Sequence, residues 1–358
     1  MTIAPVSPKY AWGVSIRMSK ETKPTLHDVG ALAGVAARTV SRVVNGETGV
    51  SVKTREKVDK AIEALKFRPN LAARALRSDR SFLVAILNNN PSPHYVADVV
   101  RGVSRVCRET GNFLTLEEFT PADNNIAESI AELVDSIRLA GAILIPPLTD
   151  DAAILDLLEA HEIPMVRMSP ASDAARTDAV FARDGDGVRQ LVNHLYQLGH
   201  RRFAIVGGPS SHRSSRIRMA AFTGALTALG ISPATVIIEQ GDYTYDSGAE
   251  ATRRILSLPH KMRPSIICAA NDEMAAGVIS VLGASGIAVP GEIAVTGFDD
   301  SEIARLIWPP LTTIRQSIVE QAEAAARLLL DRSSVKDGPR RIEQEVELVI
   351  RKSTSRDI

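Results

Sequence analysis

Polar residues between Ala37 and Asn45 are the first in the chain whose types and spacing indicate a chemistry. Val40, Val43 and Val44 recur at helical spacing, so the other side chains share the opposite face of a short helix. One helix fits the DNA major groove, where arginine forks onto guanine while hydroxyls and amides bind phosphates. An ordinary solvated face carries mixed Glu and Lys, so contact with DNA is favoured over the surface of a small bundle. The polar face carries Arg38, Thr39, Ser41, Arg42 and Asn45.

A second group of polar residues follows the predicted strands in the rest of the chain. In doubly wound sheets, ligands bind beyond the carboxyl ends of the strands. Polar and aromatic side chains that converge there form a cleft suited to hydroxyls or a carboxylate and to stacking on a ring. For any one of them a helix N-cap is at least as favoured, notably for Asp272 and Asp300. The group comprises Asn88, Asn89, Asn90, Ser169, Gly207, Gly208, Pro209, His212, Arg213, Arg216, Tyr243, Asn271, Asp272, Asp299 and Asp300.

The polar helix needs a scaffold, which the flanking sequence supplies. Leu26, Val29 and Leu32 recur at helical spacing, and Gly34 interrupts the pattern before the polar helix. This predicts a helix, a tight turn and a second helix. Helices of about eight residues are unstable alone, so a third must complete the core. We expect Ser51 to cap that third helix, whose apolar face is Val52, Val58, Ile62 and Leu65.

After Pro69, the segment 70–78 predicts about two turns of helix, which is too short to be stable in isolation. A short Ala-rich helix that forms on binding lets two copies pack closely while Leu76 wedges a base step open from the minor groove. An interdomain linker is the alternative, and the two roles are compatible.

Beyond residue 81, short apolar runs alternate with helical stretches, as at 82–87 and 97–110. Continuous apolar strands flanked by helices indicate parallel sheets covered on both faces. About ten such strands are too many for one compact open sheet, so we predict an α/β body of two doubly wound parallel-sheet subdomains. The join is expected near 181–187, and segment 317–331 is expected to form a helix on the first subdomain.

Charge is unevenly distributed although the 358 residues carry 42 basic and 42 acidic side chains. Residues 1–80 have a net charge of +8 and residues 81–358 a net charge of −8, which favours nucleic acid as the partner of the basic part. Cys107 and Cys268 lie in apolar runs, which indicates buried thiols rather than a disulfide framework or zinc site. No stretch approaches the ~18 apolar residues of a membrane span, and no secretory signal is recognised, so we expect a cytoplasmic protein.

The N-terminal part resembles the DNA-binding head of the lactose repressor/galactose repressor family of transcriptional regulators. The likeness rests on the runs 25–29, 33–35, 39–45 and 53–58, and on Pro69-Asn70 with Leu76. In that family the second helix enters the major groove and the short segment after the third is the hinge helix. The resemblance places base reading at Ala37, Arg38 and Arg42 and the wedge at Leu76. It places phosphate contacts at Thr25, Thr39, Ser41 and Asn45, and further DNA contacts at His27, Asn70, Ala73 and Arg74.

One residue departs from the family pattern at the start of the second helix. Ala36 replaces the usual serine, which removes a cap and a phosphate contact. Ala37 offers a base only a methyl contact. The readout is therefore expected to depend mainly on Arg38 and Arg42.

The remainder resembles the family's periplasmic-binding-protein-like effector domain over essentially its whole length. Specific matches are the runs 198–200, 270–272, 297–300 and 309–314, and Arg216 with Arg218. The resemblance places effector contacts at Arg216, Asn271 and Asp299, and variable pocket-lining positions at His94, Tyr95, His212 and Tyr243. Further candidates are Asn88, Ser169, Phe181 and Arg213.

Two of these candidates leave the class of effector open. Ser169 stands where many sugar-binding members have Asp, and Arg213 beside Arg216 would suit an anionic ligand. Sugars, sugar phosphates and related metabolites all remain compatible with the sequence.

These patterns predict four regions. Residues 1–23 are expected to be a disordered extension, 24–69 an all-α helix-turn-helix head, 70–80 a hinge helix and linker, and 81–358 an effector-binding and dimerisation body. Within the body we assign lobe 1 to about 81–181 and 312–335, and lobe 2 to about 182–311 and 336–358.

The sequence lacks the phosphate-loop, Gly-x-Ser-x-Gly and His-Glu-x-x-His motifs, so we predict neither enzyme activity nor a cofactor or metal. We predict a transcriptional regulator, with repression favoured, that binds a near-palindromic operator as a homodimer. A small molecule in the interlobe cleft is expected to control it. Two alternative functions predict different properties. A solute-binding protein of a transport system would share the body but would lack the basic head. A sugar-active enzyme would turn over its ligand, whereas a regulator would only bind it.

Overall fold

The computed structural model describes residues 24–44, 49–67, 81–120, 125–173, 175–331 and 338–355. The chain divides into two compact units, Met1–Asp79 and Arg80–Ile358, which correspond to the head and the body. The predicted extension 1–23 and hinge 70–80 lie outside the described residues.

Within its described residues the head forms helices α1 (Leu26–Ala33), α2 (Ala37–Val44) and α3 (Val52–Ala64). Thr25 caps α1, because its side chain accepts the N–H of Asp28 while the Asp28 carboxylate accepts the N–H of Thr25 at 2.7 Å. Gly34 ends α1 at a φ of 68°, a left-handed conformation that glycine adopts without steric cost. Ser51 caps α3 by accepting the N–H of Thr54, as the sequence predicts.

The head core confirms the predicted helix-turn-helix scaffold. Val29, Val40 and Val58 are fully buried where the three helices meet. Two residues predicted to face this core do not, since Leu32 is 56% exposed and Val52 is 75% exposed. Leu32 lies at the margin of the buried face of α1, and Val52 occupies the first position of α3, ahead of the turn that packs on the core.

The body alternates strands and helices, as predicted. Its strands are β1 (Leu83–Asn88), β2 (Phe113–Glu118), β3 (Gly141–Leu144), β4 (Met165–Met168), β5 (Asp178–Ala182), β6 (Phe203–Gly207), β7 (Ile237–Gln240), β8 (Ile266–Ala269), β9 (Ala294–Thr296), β10 (Thr313–Gln316), β11 (Arg341–Gln344) and β12 (Val346–Val349). Its helices are α4 (Pro93–Thr110), α5 (Ile126–Ser136), α6 (Ala152–Ala160), α7 (Asp184–Gln197), α8 (Arg213–Ala228), α9 (Tyr245–Ser257), α10 (Asp272–Ala284), α11 (Ile303–Leu306) and α12 (Ile318–Leu330).

The strands build one parallel sheet in each of two lobes, which confirms the predicted fold class. The lobe 1 sheet has the order β11-β5-β4-β3-β1-β2, and the lobe 2 sheet has the order β7-β6-β8-β9. An antiparallel ribbon of β10 and β12 joins lobe 2 through parallel bridges to Thr296, the last residue of β9, and to Asp299 in the loop that follows. The central strands are apolar and buried because helices cover both faces of each sheet.

Within the described residues the chain crosses between the lobes at Arg183, Ser317 and Glu345. The first crossing lies where the sequence predicts the join. The other two correct the predicted lobe boundaries, because 313–316 belongs to lobe 2 and 341–344 belongs to lobe 1. The physical reason is strand pairing: β10 pairs with β12 and packs in the lobe 2 core, whereas β11 extends the lobe 1 sheet beside β5.

Cys107 and Cys268 are free and buried, as predicted, and burial raises the pKa of their thiols to about 11 and about 12, respectively. Within the described residues, none of the helices combines the length and the apolar character that a membrane span requires.

Helices α4 and α12 approach closely at Gly102 in lobe 1. A Cβ at Gly102 would contact the carbonyl oxygen of Val319 and would lie 2.8 Å from the Cβ of Ala322. Beside this contact, Arg105 Nη1 lies 2.9 Å from Glu323 Oε1. The helix predicted over 317–331 therefore forms and packs on lobe 1, as expected.

We expect Gly102→Ala to lower the free energy of unfolding by about 1–3 kcal/mol, because the added methyl overpacks a backbone contact. Gly224 in α8 is the matched control, since a Cβ there meets nothing within 4 Å. Gly224→Ala should raise the free energy of unfolding by about 0.5–1 kcal/mol through helix propensity. Urea denaturation measures both changes, and equal effects of the two substitutions would contradict the close helix approach.

Candidate functional site

The outer face of α2 presents the residues that the sequence assigns to DNA. Val40 and Val43 are buried in the head core, which leaves Arg38 exposed and Arg42 half-buried on the other side. Two guanidinium groups therefore stand among short side chains. Half-buried neighbours on this helix are Ala37, Thr39 and Ser41.

The start of α2 lacks a serine or threonine cap. The carbonyl of Ala36 accepts the N–H groups of Thr39 at 2.8 Å and Val40 at 3.2 Å. The methyl side chain of Ala36 has no acceptor for a further N–H group of the first turn. A bound phosphate could take that place, because open N–H groups at a helix start favour anions.

Thr25 and His27 lie exposed at the start of α1. The Thr25 hydroxyl donates to the Asp28 carboxylate at 2.7 Å, and these hydrogen bonds hold the pKa of Asp28 below its usual range. Thr25 thus has a capping role, and its phosphate contact stays a prediction. The other predicted DNA contacts lie outside the described residues, namely Asn45, Asn70, Ala73, Arg74 and Leu76.

A polar cleft of about 460 Å³ lies between the two lobes of the body. Lobe 1 contributes residues that follow β1, β3 and β4, and lobe 2 contributes residues of α7, α8 and the loops after β7, β8 and β9. The carboxyl ends of the parallel strands meet at this place, as the sequence predicts. The lining residues are Asn90, Ser92, Tyr95, Pro146, Ser169, Asp184, His212, Ser214, Arg218, Tyr243, Asn271, Asp299 and Gln316.

The buried Arg218 guanidinium connects separate segments around the cleft. Its Nε donates to Asp184 Oδ2 at 2.9 Å, and its Nη1 donates to the Ala270 carbonyl at 2.7 Å. Its Nη2 lies 3.9 Å from Asp299 Oδ1, and its carbon Cζ lies 3.5 Å from the centre of the Phe298 ring. A charge buried to this extent needs such partners, so the position of each segment is coupled to the others.

The ionisable groups of the cleft are strongly perturbed by burial. Burial raises the pKa of Asp299 to about 7, although the charge of Arg218 opposes this effect. Burial alone would lower the pKa of Arg218, but Asp184 and Asp299 raise it above its usual value. Arg218 is therefore charged at neutral pH. Asp184 Oδ1 is buried and has no hydrogen-bond partner within the described part of the chain.

Tyr243 and His212 form an aromatic wall of the cleft. Their ring centres are 5.4 Å apart and the rings are tilted by 49°. The Tyr243 hydroxyl lies 3.3 Å from Ser214 Oγ, and the ring fills the space beside Gly208, where a Cβ would collide with it. Burial and the nearby Arg218 charge lower the pKa of His212. The wall is thus an uncharged stacking surface at neutral pH.

Three cleft residues adopt left-handed backbone conformations that are uncommon outside glycine. The φ angle is 48° at Ser169, 73° at Tyr243 and 110° at Asp299. Such a conformation costs about 1–3 kcal/mol and persists where its surroundings impose it. Asn271 Nδ2 donates to the Tyr243 carbonyl at 2.9 Å, and the Asp299 N–H donates to the Ile314 carbonyl at 2.8 Å. Backbone strain in three loops around one cleft indicates a binding role.

Ser92 and Glu273 join the lobes beside the cleft. Ser92 Oγ donates to Glu273 Oε1 at 3.2 Å, and Asn271 Nδ2 donates to Glu273 Oε2 at 3.1 Å. Burial raises the pKa of Glu273. His94 Nε2 lies 3.8 Å from the same Oε1 on the outer side. The lobes are therefore in direct polar contact.

The cleft brings together six of the predicted effector residues, namely Tyr95, Ser169, His212, Tyr243, Asn271 and Asp299. The others lie elsewhere. Asn88 is buried as the last residue of β1, where its Oδ1 accepts the N–H of Asn90 at 2.9 Å. His94 faces a smaller pocket beside the cleft, and Phe181 and Arg213 line a separate pocket near the first crossing.

Arg216 does not reach the cleft, and Arg218 takes the place predicted for it. Arg216 is exposed, and its Nη1 donates to the Ser210 carbonyl at 2.7 Å. The buried face of α8 runs through Arg218, Phe222 and Leu226. A residue two positions before Arg218 lies on the other side of the helix. The helical spacing of Phe222 and Leu226 is a sequence signal that separates the two arginines.

Asn90, which the strand-end pattern includes, also lines the cleft. Several other cleft residues were not assigned by the sequence, namely Ser92, Pro146, Asp184, Ser214, Arg218 and Gln316. Asp184 had a sequence signal, since it follows β5 of lobe 1 within two residues. Gln316 had none, because its position depends on the pairing of β10 with the distant β12.

The cleft offers donors and acceptors to hydroxyl groups and a ring for stacking. In the part of the chain that the structure describes, no cluster of three or more His, Cys, Asp or Glu side chains is placed to hold a metal ion.

Both units match known protein families. A family described as bacterial regulatory proteins, lacI family, matches residues 25–70, and a periplasmic binding protein-like domain matches residues 192–354. These matches fall on the helical head and on the second part of the body.

One relative by sequence and two solved structures are similar to nearly the whole chain. The chain is 31% identical to the lactose operon repressor of Escherichia coli (strain K12) over 332 residues, which is 92% of this chain and 90% of that repressor. The lac repressor dimer bound to operator and the anti-inducer ONPF superposes with a TM-score of 0.76 at 30% identity, covering 92% of this chain and 99% of that one. The transcriptional regulator CelR–cellobiose complex superposes with a TM-score of 0.70 at 32% identity, with the same coverage of 92% and 99%. The chain therefore belongs to the lacI family of bacterial regulatory proteins and is a DNA-binding transcriptional repressor with a periplasmic-binding-protein-like effector domain rather than an enzyme.

Proposed function

We propose that the chain binds a near-palindromic operator as a homodimer in the cytoplasm, and that a neutral, hydroxyl-rich small molecule in the interlobe cleft controls this binding. The main support for a neutral effector is Asp184 Oδ1, a buried oxygen that has no hydrogen-bond partner among the described residues. The neighbouring Arg218 guanidinium is already paired with Asp184 Oδ2. The solved relative bound to operator is a dimer, which supports the stoichiometry.

The face of α2 supports the mode of DNA binding. Arg38 and Arg42 can fork onto guanine edges in the major groove, while Thr39 and Ser41 contact phosphates. The net charge of +8 on residues 1–80 releases counterions from the duplex, whereas the net charge of −8 on the rest keeps the body away from it. In a twofold dimer, two such heads read two half-sites of a symmetric operator.

The charges of the cleft favour a neutral ligand over a phosphorylated one. The guanidinium that lines the cleft, that of Arg218, is paired with Asp184 and lies near Asp299. A phosphate group there would meet two carboxyl groups and compete for an engaged arginine. Asp184 Oδ1 needs a hydrogen-bond donor, which a sugar hydroxyl supplies.

The aromatic wall of His212 and Tyr243 adds a surface for the apolar face of a sugar ring. The cellobiose complex of the CelR relative supports a sugar as the ligand class. Ser169 provides a hydroxyl at the opposite side of the cleft, so hydrogen bonding to a sugar does not require an acidic residue at that position.

We infer that ligand binding would control DNA binding by shifting the equilibrium between arrangements of the two lobes. Polar groups from both lobes line the cleft, so a ligand that contacts both favours the closed arrangement in which Ser92 and Glu273 meet. The spacing of the two hinge segments in the dimer would change with that balance and alter DNA affinity.

We expect Arg42→Ala to lower the preference for operator over unrelated DNA by about 5- to 150-fold, because loss of a bidentate guanine contact removes about 1–3 kcal/mol of discrimination. Gel-shift titrations with an operator selected from random palindromic duplexes and with a scrambled duplex measure the ratio. The control is Lys60→Ala, an exposed change on α3 that should weaken both duplexes similarly and keep the ratio. Unchanged selectivity of Arg42→Ala would contradict the assignment of α2 as the reading helix.

We expect Asp184→Asn to weaken binding of the neutral effector about tenfold or more, because it removes the charged acceptor for a ligand hydroxyl. Operator affinity without effector should be retained. Thermal-shift screening of sugars, sugar phosphates, nucleosides and organic acids identifies the effector, and calorimetry then compares affinities.

Asp186→Asn is the matched control for this change. Asp186 lies two residues further along α7, pairs with Arg189 and does not line the cleft. An equal loss of effector affinity in Asp184→Asn and Asp186→Asn would contradict the proposed role of Asp184. The proposed class of effector would be contradicted if phosphorylated ligands stabilised the wild type and Asp184→Asn weakened their binding.

A further inference from the structure

A small acidic pocket lies beside the cleft, at the boundary between the lobes. Its volume is about 260 Å³, and we call it the boundary pocket. Lobe 1 contributes the starts of α4 and α12, and lobe 2 contributes the start of α10 and the loop after β9. Carboxyl groups of both lobes therefore approach one another where the lobes meet. The lining residues are Ser92, His94, Tyr95, Asp98, Asp272, Glu273, Asp299, Ser301 and Ile318.

Three of the four acids that line the boundary pocket have partners in their own lobe. Asp98 of lobe 1 pairs with Arg101 on the same helix. In lobe 2, Asp272 accepts the Thr313 hydroxyl at 2.6 Å, and Asp299 accepts from the side-chain amide at the end of β10 at 2.5 Å. These three acids would keep their partners if the lobes separated.

Glu273 instead accepts a hydrogen bond across the boundary. Its Oε1 accepts the Ser92 hydroxyl of lobe 1 at 3.2 Å, and its Oε2 accepts from Asn271 Nδ2 of lobe 2 at 3.1 Å. His94 Nε2 of lobe 1 lies 3.8 Å from the same Oε1. Glu273 is buried, and lobe 1 forms one side of the pocket that encloses it. Separation of the lobes would therefore return this carboxyl group to water.

The environment of Glu273 disfavours its charge. Burial raises the pKa of this carboxyl group, although the hydrogen bond from Ser92 and the nearby His94 oppose the effect. An open arrangement would hydrate the group, so the closed arrangement binds its proton more tightly. The contribution to closure is complete below the ordinary pKa of a glutamate, and it is lost as the pH rises through the raised pKa of the closed form.

The hydrogen bonds around Glu273 suit both of its protonation states. The charged Oε1 accepts from Ser92, whereas a protonated Oε1 can donate to Ser92 Oγ while Oε2 still accepts from Asn271. Ser92 Oγ also accepts the Tyr95 N–H at 3.3 Å, which holds it at the start of α4. Protonation thus removes a buried charge without breaking the contact between the lobes.

We propose that Glu273 links the arrangement of the lobes to proton binding, so that proton uptake favours the closed arrangement and proton release favours an open one. Its consequence for DNA binding rests on the proposed function, in which the lobe arrangement controls the heads. A fall in pH would then favour the same arrangement as the cleft ligand, as a second input.

The other groups around the boundary pocket act in the same direction or do not titrate in this range. A protonated His94 would attract the Glu273 carboxylate across the boundary, and charged acids of either lobe would repel it. Arg218 stays charged, and burial keeps the nearby tyrosines neutral by raising their pKa. These groups are His94, Tyr95 and Asp98 of α4, Glu320 of α12, Asp272 of α10, Asp299 after β9, and Asp184, Arg218 and Tyr243 of the cleft.

The test is single-molecule fluorescence energy transfer between the lobes of the full-length protein, without effector or DNA. Glu132→Cys on α5 and Arg253→Cys on α9 place the dyes at exposed positions, and the buried Cys107 and Cys268 stay unlabelled. An excess of unlabelled chains leaves one labelled chain in each oligomer. We expect the ratio of closed to open chains to fall about threefold or more from about pH 5.5 to about pH 8, since one linked proton allows up to about tenfold per pH unit.

Glu273→Gln imitates the protonated acid, because its amide N–H can donate to Ser92 while its carbonyl accepts from Asn271. At about pH 8 this variant should keep the closed-to-open ratio of the wild type at about pH 5.5, to within about twofold. Glu250→Gln is the matched control, an exposed acid on α9 whose loss should leave the wild-type pH dependence unchanged. Cooperative thermal unfolding at both pH values verifies that each variant is folded.

His94→Gln separates the carboxyl group from the histidine and should retain most of the pH dependence. The proposal is overturned by a wild-type ratio that does not change with pH, by wild-type pH dependence in Glu273→Gln, or by equal loss of that dependence in Glu250→Gln. Complete loss in His94→Gln would assign the proton to the histidine and would also overturn it. Each of these failures leaves the proposed function intact, because neither effector nor DNA is present.

Discussion

The organisation of the body depends on one buried positive charge, that of Arg218. A guanidinium removed from water must have its donors satisfied and its charge balanced. Here the partners come from the start of α7, the end of β8 and the loop after β9, through Asp184, Ala270 and Asp299. Each of these segments is fixed relative to the others by the same group. The floor of the cleft is therefore preorganised before any ligand arrives.

The walls of the cleft follow from where parallel strands end. Every strand of both sheets delivers its next loop to the same edge, and the chain must turn there within a few residues before the following helix. Polar side chains in these turns have two roles, because they cap the following helix and also form hydrogen bonds to other segments. Asn271 caps α10 and also holds the Tyr243 carbonyl, while Asp272 accepts both the Ser301 N–H and the Thr313 hydroxyl. Burial raises the pKa of Asp272 well above its usual value, so this cross-link lies in a strongly desolvated environment.

The first crossing places Asp184 at the boundary between the lobes. In the cleft, the Arg218 guanidinium is paired with Asp184 Oδ2, while Asp184 Oδ1 has no hydrogen-bond partner among the described residues. An open acceptor beside a paired arginine is suited to hydroxyl groups. This arrangement arises because α7 begins at the crossing and turns Asp184 inward to Arg218.

Several features of this protein follow from local spacing along the chain. The valine pattern of α2, the Ser51 cap and the alternation of strands and helices all have short-range physical causes, and strand ends located six cleft residues. Tertiary structure decided the rest. Which of Arg216 and Arg218 faces the cleft depends on how α8 is rotated against the lobe 2 core. Strands 313–316 and 341–344 lie in the opposite lobes to those expected, because strands of four residues carry no local mark of a partner that lies far away in the chain.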